Sequence, residues 1–385
     1  MTTIPDPART RRRLLEHYDA HGRNLPWRES REPYRVWVSE IMLQQTRVET
    51  VVPYYARWME RFPTVAALAE ADEESVLKAW EGLGYYARAR NLHRSARMVR
   101  EKLRGDLPTS ASSLRTLPGI GAYSAGAIAS IAYGEVVPAV DGNARRVLSR
   151  LFDEDGTSDA LLRRRAVELL DPDRPGDWNQ ALMELGATVC LPRSPRCGEC
   201  PLAGECGALA EGTQELRPAR KRRAAVRTRV FAVLVGCRPS GDLLLVRRPR
   251  EGPLGGMWEF PAAEIEAGEA LEQDSLAHAL TQGWRSVAEG MGVTLPTRGA
   301  YRCVLPEVRH AFTHLKAVYR PMLAMEVQDT AGSVATGPEL GSRRAEQERR
   351  WVAPDQIDAL PLPAAQRRML VSALAEVESL ADVAP

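Results

Sequence analysis

The chain has 385 residues, 44% of them hydrophobic and 26% charged, with a formal net charge of +2. That length predicts two domains, three at most, each with enough chain for its own core. No apolar run reaches membrane-spanning length, no secretory signal follows the basic N-terminus, and a near-neutral charge says little about partners, so a soluble cytoplasmic protein is expected.

In chain order, residues 8–207 read as mostly helical. Apolar residues recur at helical spacing in "PYRVWVSEIMLQQTRVETVVPYYARWMERF", "SVLKAWEGL", "ARARNLHRSARMVREKL", "AYSAGAIASIAYG" and "DALLRRRAVELL". Gly, Pro and Asp punctuate them. Residues 208–228 are basic and lack an apolar stripe, which predicts a linker. The pattern then turns β-rich: "RVFAVLVGC" and "DLLLVRRP", separated by "RPSGD", predict a hairpin. A helix over 271–292, a strand over 314–327 and a last helix over 363–377 complete a mixed α/β domain. No internal repeat is visible.

Four of the six cysteines crowd into "CLPRSPRCGECPLAGEC", placing Cys190, Cys197, Cys200 and Cys206 as C-x6-C-x2-C-x5-C. Such an array is not a disulfide framework. Soft thiolates in one short loop fit an iron–sulfur cluster or zinc, and structural zinc more often uses two paired C-x2-C knuckles. The metal's expected role is structural, folding a loop too short for its own core.

In "LPGIGAYSAG", Gly119 and Gly121 bracket one apolar residue between two helical runs. Exposed amides at the start of the second helix favour an anion, and glycine admits a phosphate close to the backbone. On its own the turn is equally a plain helix–helix connector. Glu40 shares a helical face with Val36, Trp37 and Leu43, where a raised pKa would suit a general acid. Asp141 falls at the N-cap position of a following helix, where amide donors and the helix dipole would keep it ionised. A carboxyl pushed toward its neutral form beside one held charged is the pattern that separates acid and anion roles.

Taken together, "LPWRESREPYRVWVSEIMLQQTRV", "EGLGYYARARNLH", "LPGIGAYSAGAIASIAYG", "PAVDGNARRV", "NQALMELGATVC" and the cysteine array resemble the adenine DNA glycosylase (MutY) family of the helix–hairpin–helix base-excision repair superfamily. The resemblance implies an all-helical glycosylase domain over 1–207, with its helix–hairpin–helix at 114–132 and a [4Fe–4S] loop at 190–206. A basic linker over 208–228 and a Nudix-like α/β domain over 229–385 would follow. It implies hydrolysis of the N-glycosidic bond of adenine opposite 8-oxoguanine or G in duplex DNA by a monomer. Glu40 would protonate the flipped adenine and Asp141 would stabilise the oxocarbenium-like sugar, with Tyr123 and Asn143 beside them. Trp27, Arg28 and Glu184 match the adenine pocket. Gln45, Thr46, Leu83 and Tyr85 match residues at the duplex, Gln45 and Tyr85 as wedges beside the lesion, whereas Tyr86 reads as core. Gly119 and Gly121 would seat a phosphate.

"GGMWEFPAAEIEAGE" resembles the opening of a Nudix hydrolase box, but the helix after it, "LEQDSLAHALTQGW", lacks the carboxylate cluster that a hard metal needs. That predicts no pyrophosphohydrolase activity and a recognition role for 8-oxoguanine. In the family a Phe-Ser-His loop carries that role; here Phe312, Thr313 and His314 stand there, and threonine keeps the hydroxyl but adds a methyl group.

Two other readings compete. A bifunctional glycosylase/lyase of the endonuclease III type needs a lysine at position 123, but Tyr123 has no amine for a Schiff base, and the chain's four lysines, Lys78, Lys102, Lys221 and Lys316, lie outside these motifs. A non-enzymatic damage binder would not need Glu40 and Asp141.

Overall fold

A computed structural model describes residues 5–219, 226–252, 254–265, 273–295, 302–312, 315–330 and 348–381. Its helices, in chain order, are α1 (Pro7–His21), α2 (Pro33–Leu43), α3 (Val48–Arg61), α4 (Val65–Glu70), α5 (Glu73–Ala79), α6 (Ala87–Lys102), α7 (Ala111–Leu114) and α8 (Ala122–Tyr133). There follow α9 (Gly142–Leu151), α10 (Asp159–Leu169), α11 (Pro175–Thr188), α12 (Gly207–Ala210), α13 (Gln273–Gly290), α14 (Pro354–Ile357) and α15 (Ala364–Ala381). The chain divides into two compact units, Met1–Ala71 with Arg90–Arg223, and Asp72–Ala89 with Ala224–Pro385.

This division differs from the expected one at two places. Residues 72–89, including α5, pack with the second unit. Much of the expected linker packs on the first: Ala208 is buried, Arg217 Nε donates to Asp153 Oδ1 at 2.9 Å, and the Ala219 amide donates to the Asp155 carbonyl at 2.8 Å. The basic stretch has no apolar stripe of its own, so its partners are polar groups that composition does not reveal. Residues 220–225 lie outside the described residues.

The first unit is a helical assembly. Leu14 of α1, Leu148 of α9, Leu162 of α10, and Trp178, Leu182 and Leu185 of α11 share one core cluster, the apolar face that i, i+4, i+7 spacing dictates. Trp37, Val38 and Met42 of α2 and Trp58 of α3 are wholly buried. The long run predicted over 33–62 is two helices, because Gln45 takes a left-handed φ of 55° between them. Neither Gly nor Pro marks that break.

The second unit carries β1 (Arg227–Gly236), β2 (Leu243–Arg247), β3 (Trp258–Glu259), β4 (Ala262–Ile265), β5 (Val293–Thr294), β6 (Arg302–Val304), β7 (Val308–Ala311), β8 (Leu315–Ala324), β9 (Gln328–Asp329) and β10 (Arg349–Val352). The main sheet runs β4-β1-β8-β6, with β7 also on β8. β1 and β8 are parallel, in register from Arg227↔Leu315 to Gly236↔Ala324. Period-2 alternation gives β1 two buried faces: Val233 and Val235 join the cluster with Met369 and Ala373 of α15, while Ala232 and Leu234 join that with Leu280, Trp284 and Val287 of α13. The hairpin expected at 238–242 is only a tight turn closed by the Cys237↔Leu243 bridge. β2 pairs in a separate sheet, β10-β2-β3, and its Leu245 and Leu244 still fall in the two different clusters.

Candidate active site

Glu40 lies in the last two turns of α2, which starts on Pro33 and is N-capped by the Glu32 side chain. Only 5% of it is exposed. Its Oε2 accepts the Tyr123 hydroxyl from α8 at 2.6 Å, with Met183 Sδ of α11 3.3 Å from that hydroxyl. Burial pushes the Glu40 carboxyl up to about 7; the Asp141 charge adds to this, and the Tyr123 bond and Arg28 work against it. The sequence expectation of a raised Glu40 pKa therefore has a geometric cause. Burial, then the charges of Glu40 and Asp141, raise Tyr123 well above an ordinary phenol, so it stays a donor.

Asp141 N-caps α9, as its position predicts; its Oδ1 accepts the Ala144 amide at 2.7 Å. Its Oδ2 accepts Asn143 Nδ2 at 2.9 Å. Burial raises its pKa above the ordinary aspartate value, and the Ala144 and Asn143 bonds work against that shift.

Glu184 of α11 holds the opposite state. It accepts Arg23 Nε at 2.7 Å and Arg28 Nη2 at 2.9 Å. Burial opposes its charge, but the hydrogen bonds and charges of Arg23 and Arg28 prevail, and its pKa lies below the usual carboxylate range. Arg28 Nε is buried without a hydrogen-bond partner among the described residues, and Arg28 lines the same cavity as Glu40 and Asp141. Trp27, in the 3-10 turn Pro26–Arg28, is buried edge-on against Tyr55.

These groups converge on one cavity of about 390 Å³. Trp27, Arg28, Glu40, Gln45, Thr46, Tyr123, Asp141, Asn143 and Glu184 all line it, so α2, α8, α9 with its cap, α11 and the Pro26–Arg28 turn deliver every catalytic and adenine-pocket candidate to one place. Arg23, Gln44 and Met183 also line it and were not foreseen. No local pattern sets Arg23 apart. Arg146 is the other unforeseen residue, although its spacing is a usable signal, one turn beyond Asn143. Arg146 Nη2 donates to Asn143 Oδ1 at 2.9 Å and Nε to the Cys190 carbonyl at 2.7 Å. It thereby joins Asp141, through Asn143, to the cysteine loop.

The glycine turn connects α7 to α8. Gly119 has φ 80°, and a Cβ there would fall 2.7 Å from Asn91 Cβ. Gly121 caps α8 with no side-chain bond to its first-turn amides, and a Cβ there would meet nothing within 4 Å. First-turn amides without a side-chain cap suit an anion. Gln45 is exposed at the break after α2. In the second unit, Tyr85 is 45% exposed with φ 49°. Leu83 is 6% exposed. Tyr86 is buried, as expected of a core residue. Phe312 closes the β7–β8 hairpin through its amide to the Leu315 carbonyl at 2.7 Å; Thr313 and His314 lie outside the described residues.

All four array cysteines line one small cleft and none is in a disulfide, with Cys190, Cys200 and Cys206 packed on the α1–α9–α11 core. Burial first, then their neighbours' charge, raises Cys197, Cys200 and Cys206, so a bound cation would relieve a crowded anionic set. Arg150, 3% exposed, adds a donor 3.3 Å from Cys190 Sγ. Among the described residues no three donors form a single-ion site. Zinc would need all four sulfurs about 2.3 Å from one point, whereas a cluster gives each sulfur its own iron.

Residues 38–172 match the HhH-GPD superfamily of base excision DNA repair proteins, residues 232–372 the NUDIX domain, and residues 190–206 the iron–sulfur binding domain of endonuclease III. The adenine DNA glycosylase of Rattus norvegicus is 39% identical over 391 residues, covering 87% of this chain and 74% of that protein. The Homo sapiens adenine DNA glycosylase is 39% identical over 383 residues, covering 84% of this chain and 68% of that protein. Among solved structures, a thermostable thymine-DNA glycosylase aligns with TM-score 0.50 and 26% identity, covering 53% of this chain and 98% of its own. No helix among the described residues is long and apolar enough to cross a membrane. The chain belongs to the adenine DNA glycosylase family: it is a base-excision repair DNA glycosylase with a helical HhH-GPD domain, a [4Fe–4S] cysteine loop and a Nudix-like α/β domain.

Proposed function

We propose that this glycosylase acts as a monomer on adenine opposite 8-oxoguanine, and also opposite G, and hydrolyses the N-glycosidic bond without cutting the abasic strand. The observation that carries the reading is Glu40: a buried carboxyl near pKa 7, hydrogen-bonded to Tyr123, in a cavity shared with Asp141. A carboxylic acid poised there holds its proton at neutral pH and can give it to a base. Adenine is a poor leaving group until a ring nitrogen is protonated, and Glu40 is the group in the cavity suited to do this. Arg28 Nε and the Glu184–Arg23–Arg28 cluster offer fixed donors for the edge of a flipped purine.

As the bond breaks, positive charge grows on the sugar. Asp141, held by Ala144 and Asn143, supplies the opposing negative charge. Glu40, now ionised, can take a proton from the attacking water. Tyr123 holds Glu40 in one orientation and cannot form a Schiff base. No lysine is among the cavity residues, which favours hydrolysis alone. Cys190, Cys197, Cys200 and Cys206 would hold the cluster, which supplies the folding energy of their loop. Phe312, Thr313 and His314 read the 8-oxoguanine, and Gln45 and Tyr85 wedge into the duplex beside it. The uncapped amides at Gly119–Gly121 clamp a backbone phosphate.

Single-turnover release of adenine from matched 8-oxoguanine:A, G:A and thymine-glycol duplexes tests the reading, with borohydride trapping alongside. Fastest release from 8-oxoguanine:A with no trapped adduct is expected. An untouched 8-oxoguanine:A duplex, or a strong covalent adduct, overturns it.

A further inference from the structure

The second unit contains a stretch, 72–89, that is remote from the rest of it in sequence. Several contacts and one close approach hold it. Glu81 is gripped by Arg367 of α15, whose Nε donates to Oε1 at 2.7 Å and Nη2 to Oε2 at 3.3 Å, with both side chains about four-fifths buried. The Trp258 indole, fully buried, donates to Glu74 Oε2 at 2.9 Å. Gly256, at φ 76°, lies so close to α5 that a Cβ would fall 3.0 Å from Glu73 Oε1 and 3.2 Å from Leu77 Cδ1. Gly256 and Trp258 are the opening "GGMW" of the hydrolase box.

What this grip holds is the loop that ends in Tyr85. Trp80 Nε1 donates to the Gly84 carbonyl at 3.1 Å. Arg88 donates to the carbonyls of Leu83 and Gly84, each at 3.1 Å, with its guanidinium over the rings of Trp80 and Tyr85. Tyr85 is thus exposed on a backbone turn that a non-glycine residue rarely adopts, and such strain persists only where the surroundings over-determine it.

We propose that Arg367 and the retained box residues Gly256 and Trp258 form a cradle that sets the posture of Tyr85, which makes Arg367 a positioning residue for lesion recognition. The proposal rests on the reading of Tyr85 as a duplex wedge. It gives the surviving half of the hydrolase box a task that needs no metal: Gly256 admits α5 and Trp258 fastens it. The wedge and the Phe312 hairpin are then carried by one unit.

The test uses the full-length holoenzyme with Arg367→Met, Arg367→Lys, Tyr85→Ala and the Arg367→Met/Tyr85→Ala double variant. Binding is measured on an 8-oxoguanine duplex with a fluorinated, uncleavable adenosine and on the undamaged duplex, and 2-aminopurine beside the lesion reports unstacking. Arg367→Met is expected to lower the preference for the lesion duplex about tenfold, the scale of one charge-assisted hydrogen bond, and to abolish most of the fluorescence rise. Arg367→Lys should restore part of both, and Arg367→Met should cost nothing further once Tyr85 is Ala. Equal losses from Arg367→Met in both backgrounds, or no loss while Tyr85→Ala alone is costly, overturn the cradle. An unchanged lesion preference in Tyr85→Ala overturns the wedge reading itself, and the cradle with it.

Discussion

Glu40→Gln should abolish excision while making the protein more stable at alkaline pH. The buried carboxyl has a folded pKa of about 7 against 4.5 for the ordinary group. Between these values the native state binds more protons than the unfolded chain, so stability is full below pH 4.5 and is lost as pH rises through about 7. At ~1.4 kcal/mol per unit, the cost of ionising Glu40 in place reaches about 3 kcal/mol by pH 8. Glutamine keeps the volume and still accepts the Tyr123 hydroxyl, but replaces a charged hydrogen bond with a neutral one, a loss of about 1 kcal/mol. The net gain is then about 2 kcal/mol at pH 8 and near zero at pH 5. At ~2–4 °C per kcal/mol for a unit of this size, the thermal midpoint of the holoenzyme rises by about 4–8 °C at pH 8. Paired melting curves at the two pH values measure it. A Glu40→Gln midpoint lower than wild type at pH 8, or shifted equally at both, refutes a carboxyl strained by burial.

The same pKa predicts that the single-turnover rate of wild type falls above about pH 7 as Glu40 loses its proton; Tyr123→Phe, which removes a bond to the charged form, should move that limb to higher pH, by about 1 unit. Gly119→Ala and Gly121→Ala should separate folding from binding. The first forces a Cβ against Asn91 at φ 80° and costs about 1–3 kcal/mol of stability, whereas the second leaves melting almost unchanged and weakens binding to any duplex, with a shallower salt dependence. Arg146→Gln should slow excision and lower the iron content of the purified protein together, since Arg146 bonds both Asn143 and the Cys190 carbonyl; iron analysis and adenine release on one preparation check it, and full activity at wild-type iron content counts against the link.

Several features were legible in the residues alone. Glu40 sits among Val36, Trp37 and Leu43 on a helix, so its burial and raised pKa follow from 3.6-residue periodicity. Asp141 precedes a helix and caps it. The cysteine spacing marks a metal loop, and β-branched, aliphatic runs mark β1 and β8. These are local properties, set by side-chain spacing and backbone preference within a few residues.

Other features needed distant partners. The break at Gln44–Arg47, which brings Gln45 and Thr46 to the cavity, has no Gly or Pro to announce it; it is accompanied by Gln44 Nε2 donating to Ser124 Oγ, 80 residues away, at 2.9 Å. The pKa of Asp141 reflects how deeply it is buried as well as the capping bonds its position predicts. Arg23 became the partner of Glu184 only when α1 and α11 packed together. The assignment of 72–89 to the second unit rests on Glu74, Glu81, Trp258 and Arg367, polar pairs nearly 200 to 300 residues apart. Sequence by itself therefore determined the helical and mixed α/β halves and the chemical groups this chain brings to its site. Tertiary structure decided which charges were desolvated and which were paired, because those free energies depend on neighbours that no local pattern specifies.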